Sequence, residues 1–447
     1  MARKSPLEVY KMLPGDNCGE CGEDTCMAFA SKLIDREAKI DDCPRIRGKK
    51  REKLVEYLTP AVREVKIGER VIGGEEVVYR HELTYFNPTA YFISLSDDES
   101  ILEERAEEIK NFSIERFKTE LRFDGIALRN RSNDPEIFRD ATEKLMKIGM
   151  PLILCSFNPE SIERALEVSS KARPLIYGAT DENLEEMCAI ASSYDCPLAV
   201  ISSDLRKLWE LSFIAKESGV SSIVLDPVTD PLDLRGTLNR IVEIRHKAIE
   251  ERADPFRWPI LGVPASAWLV EGNGHWEEAV IASVLQNRFV DAMILKTTEM
   301  WSILPLLTLR QNIYTDPRFP ARVEPGVREI GSPDESSPVL LTTNFALTYY
   351  AVEGDVEGKL NCYIIVADTE GLAVEPSIAG GKLKASDVAD IIKESGLESK
   401  VKHRKMIIPG AAARIRGDLE DATGWEILVG PKDSSGIVDF VSKHWKV

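Results

Sequence analysis

Histidine is scarce in this chain, with five residues (His81, His246, His275, His403 and His444) in 447. None forms a metal-ligand pair or a plausible triad with Ser or Cys, which removes histidine-ligated metal chemistry and Ser–His hydrolysis from the leading readings. His275, in EGNGHWEE, stands alone among them in a Gly-rich segment and reads first as a loop residue. A basic excess is missing as well: 57 Lys and Arg face 74 Asp and Glu, a net charge of −17. Nucleic acids and anionic membranes require a basic footprint, so neither is expected as the main partner. No apolar run reaches the roughly 18 residues of a membrane span. The opening MARKSPLEVYKMLPGDN lacks the apolar core of a secretory signal. A cytoplasmic protein is expected, of ordinary globular composition at 43% hydrophobic and 29% charged residues.

Cysteine supplies the strongest positive signal. Cys18, Cys21, Cys26 and Cys43 follow the spacing C-x2-C-x4-C-x16-C-P. Three thiolates on one tight loop and a fourth returned by a helix can close around an iron–sulfur cluster, and a proline after the last ligand is a ferredoxin-like trait. Gly19 and Gly22 follow two of the cysteines directly, which lets backbone N–H groups approach sulfur. Zinc is the competing metal, but structural zinc sites usually pair two close halves, whereas here the fourth ligand stands alone. Cys155, Cys188, Cys196 and Cys362 lie among apolar residues and read as small buried hydrophobes rather than a disulfide framework.

The patterning divides the chain into an N-terminal module (1–58), a linker that can carry a small hairpin (59–83), a central domain (84–311), a second linker (312–336) and a C-terminal domain (337–447). In the module a helix is expected from Thr25 to Lys39, capped by Asp24 or Thr25, and a second over RGKKREKLVEYL. A core of fewer than about 60 residues is marginal, so a metal cluster would act as its staple. The central domain alternates short apolar runs with amphipathic stretches. Strands are expected at 89–96, 125–130, 151–156, 174–180, 197–203, 222–228, 259–266 and 291–297, a count and spacing that match a (β/α)8 TIM barrel. Asp226 and Asn130 fall at strand ends there, where barrel active sites lie, and structural anchoring is at least as strong a reading of each. The C-terminal domain reads as a small Rossmann-like α/β unit with strands at 338–344, 362–369, 405–410 and 425–431. Its strand ends are rich in Gly, Ala, Ser and Thr, which admits a large planar ligand close to the backbone and equally fits plain turn chemistry. No GxGxxG or P-loop occurs there, so an ordinary dinucleotide or nucleoside triphosphate is not indicated.

The order of modules, together with CGECGEDTC…CP, LTTNFALTYYAVEGDV, ADTEGLAV, IIPGAAARIRGDLE and WEILVGP, resembles the large (gamma) subunit family of corrinoid/iron–sulfur proteins. These serve the acetyl-CoA decarbonylase/synthase (carbon monoxide dehydrogenase/acetyl-CoA synthase) complex. The resemblance implies that Cys18, Cys21, Cys26 and Cys43 hold a [4Fe-4S] cluster. It also implies a corrinoid on the C-terminal loops, with Thr342, Thr348, Gly371, Leu372, Ala373, Val374 and Ser435 as contacts and no catalytic residue on the barrel. Methyl would pass from N5 of a methylated tetrahydropterin (tetrahydrosarcinapterin, tetrahydromethanopterin or tetrahydrofolate) to Co(I), and on to the nickel–iron cluster of acetyl-CoA synthase. Implied partners are a small (delta) subunit, the acetyl-CoA synthase subunit, and the methyl donor or its methyltransferase. No D-x-H-x-x-G motif is present, consistent with a base-off cobalt without a histidine ligand. Loss of an axial nitrogen makes Co(I) easier to reach, and the cluster would re-reduce inactive Co(II). On this view the 59–83 linker lets the module swing. Two alternatives stand beside it: an iron–sulfur electron-transfer or assembly subunit without corrinoid, and a zinc-stapled barrel enzyme acting on a pterin.

Overall fold

The computed structural model describes residues 4–446 apart from 80, 81, 83, 84, 117, 118, 273 and 316–320, so His81 lies outside the described residues. The chain forms two compact units: Met1–Ile114 with Glu120–Tyr314, and Glu115–Thr119 with Thr315–Val447.

The first unit begins with helices Pro6–Met12, Cys26–Asp35 and Gly48–Leu58. They bury Val9, Leu13, Phe29, Leu33, Ile46 and Leu54 in one small core that also takes in Cys26 and Cys43. The Thr25 hydroxyl caps the second helix, accepting from the Ala28 N–H at 3.1 Å. That helix stops at Asp35, short of the expected Lys39, because Arg36 adopts a left-handed conformation with φ 61°. The turn aims the Arg36 guanidinium at the Glu64 carboxylate (2.8 Å) and the Gly74 carbonyl (2.5 Å), and sets it 3.9 Å from the Phe86 ring centroid.

Within the stretch expected as a linker with a small hairpin, the hairpin is present and residues 61–78 pack into the barrel core rather than running free. Strands Glu64–Ile67 and Arg70–Gly73 form an antiparallel hairpin. Its alternation turns Val65, Ile67 and Ile72 inward, where they join the barrel core with Ala61, Val62 and Val78. The Gly68 N–H donates to the Arg173 carbonyl (3.1 Å) and the Arg63 N–H to the Arg257 carbonyl (2.8 Å). Both acceptors precede barrel strands, so the hairpin covers the strands' N-terminal ends. Gly73 is required there: its φ is +78°, and a Cβ would collide with the Arg63 carbonyl and Pro259. The period-2 pattern was legible in the sequence; the apolar surface awaiting it was not.

Eight parallel strands follow at Ala90–Ser96, Gly125–Arg129, Leu152–Cys155, Leu175–Ala179, Leu198–Ile201, Ile223–Asp226, Leu261–Gly262 and Ala292–Leu295. Taken in chain order they run sixth, fifth, fourth, third, second, first, eighth, seventh around the sheet. A single bridge, Leu225 to Ile260, joins the two ends into a near-closed barrel. The seventh strand, expected over 259–266, keeps two residues and gives way to a 3-10 helix at Pro264–Leu269, since Pro264 has no N–H to continue the ladder.

In the second unit an open sheet runs Gly326–Ile330, Cys362–Ala367, Val339–Thr343, Lys405–Ile408, Glu426–Val429, with the first strand antiparallel and the rest parallel. The expected linker 312–336 is therefore partly structured: residues up to Tyr314 complete a barrel helix, and Gly326–Ile330 is an edge strand. Both faces of the sheet are covered. Leu341, Ile365 and Ile408 pack with Val388, Leu419 and Trp425 on one side, and Leu340, Ile364 and Ile407 with Tyr349, Val356 and Val441 on the other.

One internal tie of the barrel is ionic. Arg310 bonds Asp124 at 2.5 Å and donates to the Thr89 and Arg122 carbonyls at 3.1 and 2.8 Å, while Asp124 also accepts from the Tyr91 N–H at 2.8 Å. Arg310→Leu leaves Asp124 without its chief partner and is expected to lower unfolding free energy by about 3–5 kcal/mol. Denaturant melts of the full chain read this as a shifted midpoint at unchanged slope; a loss below about 1 kcal/mol contradicts it.

Candidate functional site

Two places gather the residues singled out by sequence. In the N-terminal module Cys18, Cys21, Cys26 and Cys43 line one small pocket together with Leu13 and Phe29. Cys26 and Cys43 are buried, Cys18 and Cys21 half-buried. Gly19 and Gly22 take φ +75° and +88°, which lets the loop double back between the first two sulfurs and the third. Asn17 ties this loop to the helix, accepting from the Cys26 N–H at 2.8 Å. Arg45 pairs with Glu20 and, at 2.5 Å, with Asp16, so it clamps the loop to the segment after Cys43. Hydrogen bonding to Glu20 first, then Asp16, raises the Arg45 pKa and keeps its charge beside Cys18. No three His, Cys, Asp or Glu side chains among the described residues converge on a single-ion position. The four cysteines line one shared pocket, and a set of four thiolates is the usual ligand set of an iron–sulfur cluster.

The second place lies in the C-terminal unit. In chain order its four parallel strands are arranged second, first, third, fourth, so strand order reverses between Val339–Thr343 and Lys405–Ile408. The crossovers on either side of such a reversal leave to opposite faces and open a crevice at the strands' carboxyl ends. A cavity of about 330 Å³ sits there, lined by Thr342, Thr348 and Val374 from the expected set. Pro409, at an expected strand end, also lines it, as do Leu347, Ala351, Val352 and Lys432, which were missed. Helix Ala346–Val356 carries several of them; its apolar residues run around the whole helix, so no one-sided pattern announced it.

Thr342 is 1% exposed and its hydroxyl has no hydrogen-bond partner. A buried hydroxyl left unpaired costs about 1–3 kcal/mol unless something binds it. Gly371, Leu372 and Ala373 are not on the lining. They form the loop leading to Val374, and Asn344 locks that loop: its Oδ1 accepts from the Thr369 and Gly371 N–H groups, both at 3.0 Å. Ser435 lies beside the lining residue Ser434, and Asp433 fixes both through its bond to the Ser435 N–H at 3.0 Å. Gly410 lets two rim loops touch, because a Cβ there would meet the Gly430 carbonyl at 2.9 Å. No histidine is among the lining residues. His403 lies elsewhere, bonded to the Ser337 carbonyl at 2.9 Å.

The barrel's candidates resolve into anchors. Asp226 is fully buried and accepts from Tyr177 (2.8 Å) and the Val228 N–H (2.7 Å). Burial pushes its carboxyl up to about 6. Asn130 donates to Ser156 at 3.0 Å. His275, expected in a loop, instead opens helix Gly274–Gln286 and bonds Thr297 at 3.1 Å. Cys155, Cys188, Cys196 and Cys362 are pushed by burial to about 12, 11, 11 and 12, so each stays a neutral thiol.

Comparison with known proteins adds the family. A solved dihydropteroate synthase from Thermus thermophilus superposes on 57% of this chain and 100% of its own, at 14% identity and a TM-score of 0.41; the barrel assignment rests on strand order alone. The family model "Putative Fe-S cluster" matches residues 13–45. The model "CO dehydrogenase/acetyl-CoA synthase delta subunit" matches residues 64–441. The acetyl-CoA decarbonylase/synthase complex subunit gamma of Methanothermobacter thermautotrophicus is 49% identical over 98% of both chains. Its namesake from Archaeoglobus fulgidus is 44% identical over 100% of this chain and 99% of its own. Similarity of that extent, end to end, means that the chain belongs to the CO dehydrogenase/acetyl-CoA synthase delta-subunit family, alongside relatives named as gamma subunits of the acetyl-CoA decarbonylase/synthase complex.

Proposed function

We propose that this chain is the large, corrinoid-bearing methyl carrier of an acetyl-CoA decarbonylase/synthase complex in the cytoplasm. A corrinoid in the C-terminal Rossmann-like unit would supply a cobalt centre that exchanges a methyl group between an N5-methyl-tetrahydropterin and the nickel–iron cluster of acetyl-CoA synthase, and a [4Fe-4S] cluster on Cys18, Cys21, Cys26 and Cys43 would supply single electrons to restore that centre. Thr342 carries the reading: an unpaired, buried hydroxyl on the wall of an apolar-and-polar cavity at the point of strand reversal. Ligands of open α/β sheets sit at such a point.

The chain's own residues divide the work. Thr342, Thr348 and Ser434 offer hydroxyls to the amide groups at a corrinoid's rim. Leu347, Ala351 and Val352 present apolar surface that keeps water from that face. The Gly371–Ala373 loop, held rigid by Asn344, sets the position of Val374. The lining residues include no imidazole, so none of them would offer a histidine ligand to a bound cobalt, whose chemistry would be that of an electron-rich metal taking up a methyl group. Positions beyond the lining, Ser435 among them, would act by shaping the rim. Partners on this reading are a small (delta) subunit covering the open side, the acetyl-CoA synthase subunit, and the methyl donor or its methyltransferase.

Two substitutions separate the two cofactors. Thr348→Trp fills the cavity and is expected to lower bound cobalt roughly tenfold, equivalent to about 1.4 kcal/mol, with iron unchanged by elemental analysis of anaerobic protein. Undiminished cobalt sinks the assignment of this cavity. Cys26→Ser is expected to lose cluster absorbance and reductive activation. Its cobalt content and its methyl transfer after chemical reduction should stay near wild type. Parallel loss of methyl transfer in pre-reduced protein would give the cluster a role in turnover and contradict the proposed division.

A further inference from the structure

A second cavity, of about 310 Å³, lies at the N-terminal end of the barrel, apart from the residues assigned to either cofactor above. Glu75, just past the hairpin, forms one wall. Its backbone is fixed by the Val62 N–H, which donates to the Glu75 carbonyl at 2.9 Å. The residue is 6% exposed, and neither carboxylate oxygen has a hydrogen-bond partner. Arg245, from helix Leu234–Ile249, forms another wall and is 1% exposed. Its Nη2 donates to Asp291 (2.7 Å) and to the Phe289 carbonyl (2.5 Å), whereas Nε and Nη1 have no partner. The rings of Tyr85, Phe289 and Tyr314 complete the lining, those of Tyr85 and Tyr314 standing 5.9 Å apart.

The arrangement leaves two unpaired acceptors and two unpaired donors, all buried, on the walls of one space. Asp291 balances Arg245, so the Glu75 charge has no dedicated counterpart. Burial accordingly pushes the Glu75 carboxyl up to about 8, so it carries its proton at neutral pH and releases it to solvent when paired N–H donors meet both oxygens. Native proteins rarely leave such groups unpaired without an occupant to meet them. An occupant must present N–H donors to Glu75 and acceptor atoms to Arg245, and aromatic walls favour a flat one. Asn287 and Asn312, both exposed and both on the lining, bring the cavity to the surface.

We infer that this cavity binds a small planar nitrogen heterocycle bearing a ring amide N–H beside an exocyclic amine, the edge shared by guanine and pterins, with Glu75 accepting from both N–H groups and Arg245 donating to acceptor atoms elsewhere on the ring. A pterin occupant would tie this cavity to the methyl donor of the function proposed above, whereas a guanine occupant would not; binding of either needs no metal in the two cofactor sites, so it can fail or succeed separately from the corrinoid reading.

Isothermal titration of the full-length protein with 9-methylguanine, 6-methylpterin and 9-methyladenine tests it. Saturable one-site binding of 9-methylguanine or 6-methylpterin, with none of 9-methyladenine, is expected, and the stronger of the two identifies the source. Glu75→Gln should weaken that binding at least tenfold while keeping the wild-type melting transition. Asn287→Trp, an exposed position, narrows the mouth and should weaken binding as well; it keeps the test open if the buried variant misfolds. Binding of neither heterocycle, or binding that both variants retain at wild-type strength, overturns the inference and leaves the cavity to water.

Discussion

A reversal of strand order is the constraint on which the C-terminal unit depends. The chain crosses from Val339–Thr343 to one neighbour through helix Ala346–Val356, then returns past its starting point to Lys405–Ile408. Right-handed crossovers to opposite sides of a strand must cover opposite faces of the sheet. Neither can then close the space above the carboxyl ends of the two central strands, so a crevice follows from topology before any side chain is chosen. The side chains complete it: apolar residues of one helix on one wall, proline-rich loop on another, and an unpaired Thr342 hydroxyl between them.

In the first unit the hairpin has the comparable role. It buries Val65, Ile67 and Ile72 against the barrel's N-terminal ends, and its edge residues take up the charges of the small cysteine module. Arg36 reaches Glu64 and the Gly74 carbonyl, and Lys4 reaches Glu76 and the Leu58 carbonyl at 2.8 Å. Such half-buried pairs gain more than surface pairs, because water screens them less. The module's own core is small, so these ties and the four thiols share the work of holding it in one conformation. They also set it against the barrel in a defined way, where a free tether over 59–83 would leave it unplaced.

Much of this was legible in advance because the underlying signals are local. Near-continuous apolar runs such as PLILC and PLAVI mark strands buried on both faces, and seven of the eight barrel strands fall within a residue or two of their expected limits. The cysteine spacing required only counting. What escaped was set by contacts distant in sequence. Arg36 ends its helix early for partners at 64 and 74. The edge strand Gly326–Ile330 pairs with residues more than thirty positions later. Three of the seven expected C-terminal contacts line the cavity, and the Gly371–Ala373 loop contributes through Asn344 instead. That pairing joins one strand's end to the next strand's loop and has no spacing signature.

The proposed function places two redox-active groups on one chain, each on its own unit. Elemental analysis of the full-length protein after anaerobic purification, read beside its absorption spectrum, tests this most directly. About one cobalt and about four iron atoms per chain are expected, with corrinoid bands superimposed on the broad absorbance of a reducible cluster. A protein containing iron but no cobalt, and unable to take up added corrinoid, would contradict the methyl-carrier reading; a colourless protein loaded with zinc would contradict both halves of the claim.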